Sequence, residues 1–179
     1  MPNCKNKDCR EPFEKFRPNQ VVCSVKCAYE YNRQLQEKKK KKGWKERKKK
    51  LKEGLKTRSD YMKEAQTVFN AYIRERDKKL PCISCGNYEP KKINAGHYRS
   101  VGNNPELRFD ESNVHLQCEY CNTYLHGNLI EYRKNLIDRI GLHKVEWLEG
   151  SHKPLKLTIP ELILLKEEYK EKLRKLKGC

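Results

Sequence analysis

The sequence has little apolar material and no long hydrophobic run. Hydrophobic residues make up 36% of the 179 residues, and aromatic residues 9%. Because a small core buries too little surface to be stable alone, this composition excludes a large enzyme core and predicts one or two small domains plus extended charged structure. No segment approaches the roughly 18 uncharged apolar residues of a membrane span, and the N-terminus lacks an apolar signal segment. We therefore expect a cytoplasmic protein without membrane contact.

Acidic residues are scarce relative to basic ones. The chain has 41 Lys+Arg against 24 Asp+Glu, a formal net charge of +17. Residues 1–58 hold 20 basic and 7 acidic residues, a net charge of +13, whereas residues 59–179 hold 21 and 17, a net charge of +4. The imbalance predicts a polyanionic partner, with nucleic acid first and an anionic membrane surface second.

Two pairs of closely spaced cysteines lie in the middle of the chain. Cys82 and Cys85 form one pair, Cys118 and Cys121 the other, with residues 86 to 117 between them. In a reducing cytosol such pairs are metal ligands more often than disulfides, and two of them can surround one tetrahedral zinc ion. A redox role would require a thioredoxin-like βαβ unit around one pair, which this sequence lacks. The spacing predicts a structural zinc site with no open coordination position.

A second quartet lies near the N-terminus and consists of Cys4, Cys9, Cys23 and Cys27. Its spacing is less regular, but it suits a zinc knuckle followed by a helix that begins near Ser24. We therefore expect two structural zinc ions. The ninth cysteine, Cys179, is left over and is predicted to be a free thiol.

These patterns predict an α+β fold that is mainly helical, built on a small zinc-stapled ββα core. We expect an N-terminal zinc finger in residues 1–30, a basic helical linker in 31–58 and a third domain in 59–179. Within the third domain the sequence predicts a helix at 59–79, the zinc-framed core at 82–128 and a helical C-terminal part at 129–179.

The basic linker has no apolar stripe, so it cannot pack as a core helix. One interpretation is a solvated, partly helical segment broken by Gly43 and Gly54. Another is that the segment follows a phosphate backbone and releases counterions. Both can hold together. The residues predicted to contact DNA are Lys38, Lys39, Lys40, Lys41, Lys42, Lys45, Arg47, Lys48, Lys49 and Lys50, with Arg99 in the third domain.

Capping signals set the expected helix ends in the third domain. Ser59 is a plausible N-cap for the first helix, and Gly141 is expected to stop a helix that begins at Leu129. Thr158 and Glu161 form a capping box that opens a final helix through about Leu176. Its apolar stripe predicts packing or dimerisation.

Polar residues with reactive side chains lie between and beside the central cysteine pairs. If residues 113–117 form a strand, Val114 and Leu116 face the core, while Asn113, His115 and Gln117 share the opposite surface. With Ile93 to His97 as the antiparallel partner, His97 ends close to Asn113. A helix starting near Cys121 would present Asn122 and His126, spaced i and i+4, to one metal ion.

These residues carry a resemblance. His97, Asn113 and Cys121-Asn122 resemble the HNH (ββα-metal) endonuclease motif, and the zinc knuckles are similar to those of phage Holliday-junction resolvases of the endonuclease VII type. Over residues 59 to 175, the segments RERDKKLPCISCG, AGHYRS, LRF and CN…GNL resemble the phage lambda NinG (Rap) recombination protein family.

The resemblance implies metal-dependent, structure-selective cleavage of branched DNA, such as Holliday junctions and D-loops, during phage recombination in the host cytoplasm. It implies that His97 is the general base, that Asn113 holds the base or its loop, and that Asn122 binds a catalytic Mg²⁺ or Mn²⁺ ion. Histidine chemistry near neutral pH and the preference of Mg²⁺ for oxygen ligands agree with these roles. Two coordinated cuts would require two active sites, so we expect a homodimer, and other phage or host recombination proteins are possible partners.

One position departs from the family pattern. Many HNH enzymes have Asp or His as a metal ligand directly before the base, where this chain has Gly96. His126 is the first candidate for the missing metal ligand, and His115 and Asp110 are the next candidates. Alternatively, His97 binds the metal and His115 is the base. A different class of protein also fits the sequence, namely a zinc-containing DNA-binding protein that no longer cuts, and an RNA-binding zinc protein fits the charge equally well.

Overall fold

The structure, a computed structural model, describes residues 1–178 and divides the chain into two compact units. The first unit comprises residues 1–56, and the second begins at Thr57. The segments predicted as a separate finger and linker therefore belong to one unit. Within residues 1–178, no helix combines the length and the apolar character that crossing a membrane requires.

The first unit consists of an irregular segment around the N-terminal cysteines and one helix, α1 (Val25–Gly54). The irregular segment is closed by an isolated antiparallel bridge between Asn3 and Pro12. The expected helix start is confirmed, because Ser24 is the N-cap and its side chain accepts a hydrogen bond from the backbone N–H of Cys27. The small core of this unit consists of Cys4, Phe13, Val22 and Cys27.

Helix α1 is continuous over 30 residues, and of these only Cys27 is buried. The expected break at Gly43 is therefore wrong, whereas the helix does end at Gly54. One glycine costs about 1 kcal/mol relative to alanine in a helix, which the surrounding Lys, Glu and Gln residues, all good helix formers, offset.

The second unit is mainly helical with one two-stranded sheet. Its elements are α2 (Arg58–Arg76), β1 (Ile93–His97), β2 (Val114–Cys118), α3 (Leu129–Ile140), α4 (Leu142–Glu149) and α5 (Ile159–Leu176). The strands are antiparallel, with Ile93 opposite Cys118 and His97 opposite Val114. This confirms the mainly helical α+β class.

Two of the three expected helix signals are confirmed. Thr158 and Glu161 form the reciprocal capping box of α5, and α3 ends before Gly141, whose φ is +84°. Ser59 as the N-cap of α2 is wrong. The N-cap is Thr57, because its hydroxyl accepts from the N–H of Asp60 while the Asp60 carboxylate accepts from the N–H of Thr57.

Strand β2 is buried on both faces, because all five of its residues are buried. On one side Val114 packs with Phe69 of α2 and Tyr169 of α5. On the other, His115 lies against Tyr132 of α3. The expected exposed polar surface of Asn113, His115 and Gln117 is therefore wrong, since all three residues are buried.

The apolar stripe of α5 serves internal packing. Leu162 is fully buried, and Tyr169 packs edge-on against Phe69 of α2 with ring centroids 4.8 Å apart. The stripe as a whole is therefore not a free dimer interface. Of its members, Ile159, Ile163 and Leu176 are exposed.

Candidate active site and metal centres

The central cysteines form a cluster that can hold a structural metal such as zinc. The Sγ atoms of Cys82, Cys85, Cys118 and Cys121 all lie within 4.8 Å of one another. The Cys85 and Cys118 sulfurs are 3.8 Å apart, close to the edge of a tetrahedron with Zn–S distances of about 2.3 Å. The backbone N–H of Cys118 donates to Cys82 Sγ, and that of Cys121 to Cys118 Sγ, both at 3.3 Å. Such donors favour thiolates, as metal binding requires.

The N-terminal cysteines form a second cluster of the same kind. The Sγ atom of Cys23 lies 3.6 Å from that of Cys9 and 3.5 Å from that of Cys27. Asn6, which is buried, donates from Nδ2 to Cys27 Sγ and to the Glu30 carboxylate. Each unit therefore contains one four-cysteine site suited to zinc.

A cavity of about 440 Å³ in the second unit brings together most of the predicted reactive residues. His97 at the end of β1, Arg99 just after it, and Asn122 and His126 from the turn after β2 all line it. The wall also includes Ser100, Asn103 and Asn104. Sequence reasoning missed these three, and the only signal was the turn-like composition of Gly102-Asn103-Asn104-Pro105.

His97 is held in one tautomer. Its Nε2 atom lies 3.0 Å from the backbone carbonyl of Arg108, and because a carbonyl oxygen only accepts hydrogen bonds, Nε2 carries the proton. Burial lowers the pKa of His97 below its ordinary value, although the bond to Arg108 opposes the shift. Near neutral pH the imidazole is therefore neutral, with Nδ1 free to accept a proton.

Asn113 is fully buried and connects the two segments that position His97. Its Oδ1 accepts from the N–H of Arg99 at 2.7 Å, and its Nδ2 donates to the Arg99 carbonyl at 3.0 Å. Nδ2 also donates to the Leu107 carbonyl at 3.1 Å. Leu107 directly precedes Arg108, so Asn113 fixes the loop that orients the imidazole.

Asn122 and His126 do not share a helix face. Residues Tyr120–Tyr124 form one π-helical turn, after which His126 and Asn128 adopt positive φ values of 49° and 44°. The expected i, i+4 arrangement is therefore wrong. The turn nonetheless carries both side chains to the cavity.

The turn is anchored to the sheet and to the metal-site cysteines. Gln117 Nε2 donates to the Gly127 carbonyl at 2.6 Å, and the N–H of Gly127 donates to the Cys121 carbonyl at 2.9 Å. Ser84 also donates to the Gly127 carbonyl. The position of His126 therefore depends on the cysteine cluster and on β2.

His115 and Asp110 lie outside the cavity. His115 is 3% exposed, and its Nδ1 lies 3.3 Å from the hydroxyl of Tyr132. Burial, aided by the charge of Arg76, lowers the pKa of His115 to about 3. The Tyr132 hydroxyl also donates to the Gly96 carbonyl at 2.9 Å. His115 is therefore part of a buried hydrogen-bond chain that holds β1 in place. Asp110 accepts from the N–H of Ser112.

Gly96 has no room for a side chain. A Cβ atom at this position would lie 2.1 Å from Oε1 and 2.9 Å from Cβ of Gln117. The side chain of Gln117 is itself fixed by its bonds to Ser84 and Gly127. A metal ligand directly before His97 is thus excluded by the packing of β1 on β2.

We expect Gly96→Ala to lower the free energy of unfolding by about 1–3 kcal/mol, because overpacking forces Gln117 to move. Urea unfolding measures this change. Gly102→Ala is the matched control, because no atom lies within 4 Å of its added Cβ. The loss should shrink when Gln117→Ala is combined with Gly96→Ala, and an equal loss in both backgrounds would contradict the explanation.

The predicted DNA-contacting residues fall in two places. The ten in residues 38–50 are all exposed on α1. Arg99 lines the cavity, and within residues 1–178 its buried Nε atom has no hydrogen-bond partner. A guanidinium with a free donor suits a phosphate oxygen.

Fold and site together define a basic protein of two units, each with a four-cysteine site suited to zinc. The chain belongs to the family described as Bacteriophage Lambda NinG protein, whose model matches residues 1–178. The protein ninG of Salmonella phage P22 is 43% identical over 97% of the chain and 93% of its own length. The protein ninG of Escherichia phage lambda is 42% identical over 98% of the chain and 93% of its own length. The protein ninG of Escherichia phage 933W is 46% identical over 63% of the chain and 56% of its own length. No solved structure matches.

Proposed function

We propose that this protein is a metal-dependent endonuclease that cuts branched DNA, such as Holliday junctions and D-loops. One observation carries the proposal: His97 is a neutral imidazole of fixed tautomer in a cavity that also contains Arg99, Asn122 and His126. Hydrolysis of a phosphodiester requires a general base that accepts a proton from water and hydrogen-bond donors that stabilise the negative phosphate. The resemblance to HNH nucleases alone supplies the preference for branched substrates.

In the proposed reaction, Nδ1 of His97 takes a proton from the attacking water. Asn113 keeps the imidazole oriented through Leu107 and Arg99. Arg99 binds the phosphate, and its charge favours the extra negative charge of the transition state. The water oxygen bonds to phosphorus while the bond to the leaving oxygen on the opposite side breaks, and the leaving oxygen takes a proton from solvent water.

Asn122 and His126 are the proposed ligands of a catalytic Mg²⁺ or Mn²⁺ ion. The fit is partial, because among the described residues that line the cavity there is no Asp or Glu. Since Mg²⁺ prefers oxygen ligands, usually including a carboxylate, we propose that a DNA phosphate and water complete its shell. When bound, the ion neutralises charge on the phosphate and the leaving oxygen.

A second candidate function is DNA binding without cleavage. It is favoured by the lack of a side chain at Gly96 and by the absence of a carboxylate among the described residues of the cavity wall. Both candidates bind DNA, so binding alone does not separate them.

Incubation with a synthetic four-way junction and Mg²⁺ or Mn²⁺ separates the two functions. An endonuclease nicks the junction in a metal-dependent way and leaves a linear duplex of the same sequence intact. Binding without nicking under either metal would establish the second function instead. Sedimentation in the same buffers tests the proposed homodimer, which a monomer at micromolar concentration, with and without junction, would rule out.

Replacing Lys38 to Lys42 with glutamine should weaken DNA binding and flatten its salt dependence. Each lost phosphate contact reduces the slope of log K against log salt concentration by about 0.9, so we expect a change of up to about 4.5 for the five lysines. Fluorescence anisotropy at several salt concentrations measures the slope.

The control for this variant carries five glutamines at exposed lysines elsewhere, namely Lys79, Lys153, Lys156, Lys170 and Lys175. It removes the same charge from the second unit. If both variants flatten the slope equally, or if neither does, α1 has no special role in DNA binding.

A further inference from the structure

The turn that carries Asn122 also displays two tyrosines that the proposed reaction does not use. Tyr120 and Tyr124 are 63% and 67% exposed. Their ring centroids lie 6.1 Å apart, and the ring planes are inclined by 33°. Two large aromatic side chains exposed side by side offer ring faces of the kind on which nucleobases stack.

The pair forms part of the wall of a groove that has, among the described residues, one unpaired lysine. This cavity of about 300 Å³ is lined by both tyrosines and by Lys91, Lys92 and Glu119. Lys92 is paired with Glu119, while Lys91 is exposed. The groove therefore offers aromatic faces together with a cationic side chain, the combination with which proteins hold single-stranded nucleic acid.

The turn that holds the rings is firmly fixed. Cys121, between the two tyrosines, is 1% exposed and belongs to the metal-site cluster. The N–H of Leu125 donates to the Tyr120 carbonyl at 3.0 Å. Because the backbone is held by the cysteines, little conformational entropy remains to be lost when a ligand stacks on the rings.

We propose that Tyr120 and Tyr124 form a stacking platform for an unpaired nucleobase of the DNA substrate. A base inside a duplex has both faces covered by its neighbours, whereas a base at a branch or flap can turn a face outward. Asn122, which lies between the tyrosines in sequence, lines the His97 cavity, whereas the tyrosines line the other cavity, so the same turn borders both. The inference rests on the proposed function and adds a source of selectivity for branched DNA.

The test compares two DNA molecules that differ only in their bases. One is a duplex with a short unpaired flap, and the other has the same flap built from abasic nucleotides, which keeps the phosphates. Affinities are measured by fluorescence anisotropy without added Mg²⁺ or Mn²⁺, so cleavage plays no part. The protein should bind the normal flap at least about fivefold more tightly.

Three variants locate the effect. The double variant Tyr120→Ala/Tyr124→Ala should lose the preference for the normal flap but bind plain duplex within about twofold of the parent, because stacking is absent there. The double variant Tyr120→Phe/Tyr124→Phe should keep the preference. Tyr29→Ala, at an exposed tyrosine of α1, is the matched control. Zinc content and thermal unfolding check that each variant is folded, and single alanine variants replace the double one if it is not.

Equal affinity of the parent for both flaps would overturn the proposal, and this comparison needs no variant. It would also be overturned if the phenylalanine pair behaved like the alanine pair, or if the alanine pair turned a dimer into a monomer while the preference for bases remained. Failure of the nicking assay with an intact base preference would remove only the proposed nuclease activity.

Discussion

Replacing His97 with alanine is expected to lower the rate of junction cleavage by about 10²–10⁴-fold, the usual contribution of a general base. The residue lies in the cavity, neutral and with Nδ1 free, and the variant leaves no side chain to accept the proton of water. DNA affinity should change little, because the phosphate-binding groups remain. Single-turnover cleavage of a labelled junction, together with anisotropy measurements of binding, gives both numbers.

His143→Ala is the matched control for this variant. His143 is exposed on α4 and does not line the cavity, so its loss should leave the cleavage rate within about twofold, as for a surface change away from the site. The proposed role of His97 would be wrong if its variant cut as fast as the parent while remaining folded. The nuclease would then need a different base.

Removal of the metal from the central cysteine cluster is expected to unfold the core of the second unit. A structural zinc contributes binding free energy on the order of 10 kcal/mol or more, as large as the whole stability of a small domain. Cys121→Ser should therefore abolish cooperative thermal unfolding of this unit and reduce bound zinc from two ions to one per chain. Elemental analysis and calorimetry measure these changes.

Two other cysteine variants serve as comparisons. Cys23→Ser should also remove one zinc ion but leave the unfolding transition of the second unit in place, because Cys23 belongs to the other cluster. Cys179→Ser, at a cysteine outside the described residues, should keep both ions. A Cys121→Ser protein that retains two zinc ions and unfolds at the parent's temperature would refute the structural role of this cluster.

The sequence predicted those features that depend on local chemistry. Within each cysteine quartet the four sulfur atoms lie close together, as their spacing indicated. The capping box at Thr158 and the stop at Gly141 hold because each is decided by neighbouring residues. The antiparallel pairing of residues 93–97 was also expected, although its partner strand runs over 114–118 and not over the predicted 113–117.

The errors arose where distant packing decides the outcome. An alternating pattern in β2 indicates one exposed polar face, but that face is buried, with His115 packed against Tyr132 of α3. Spacing of i and i+4 predicts a shared helix face for Asn122 and His126, yet positive backbone φ angles after the π-helical turn aim His126 differently. Neither outcome can be obtained from periodicity, because both depend on contacts between residues far apart in sequence.

The sequence also showed that Gly96 stands where many HNH enzymes have a metal ligand, but it did not show why. In the structure the missing side chain is required by Gln117, which supports the turn that carries His126. On β1, the space that the side chain of a metal ligand would occupy beside Gly96 is filled by Gln117 of β2, which holds the turn of His126 in place. This relation involves three segments and is visible only in the fold.

The uninterrupted course of α1 has a consequence for the proposed binding of DNA. Thirty helical residues form a rod about 45 Å long, which matches the length of about 13 base pairs of duplex. Basic side chains outnumber acidic ones on it by 13 to 4, and beyond the first turns, which pack against the N-terminal cysteine segment, the helix has no apolar stripe to be hidden. Such a rod has no preferred side. If α1 binds DNA as proposed, an arm would be able to lie along it in any rotational setting and to turn or slide while its phosphates remain neutralised.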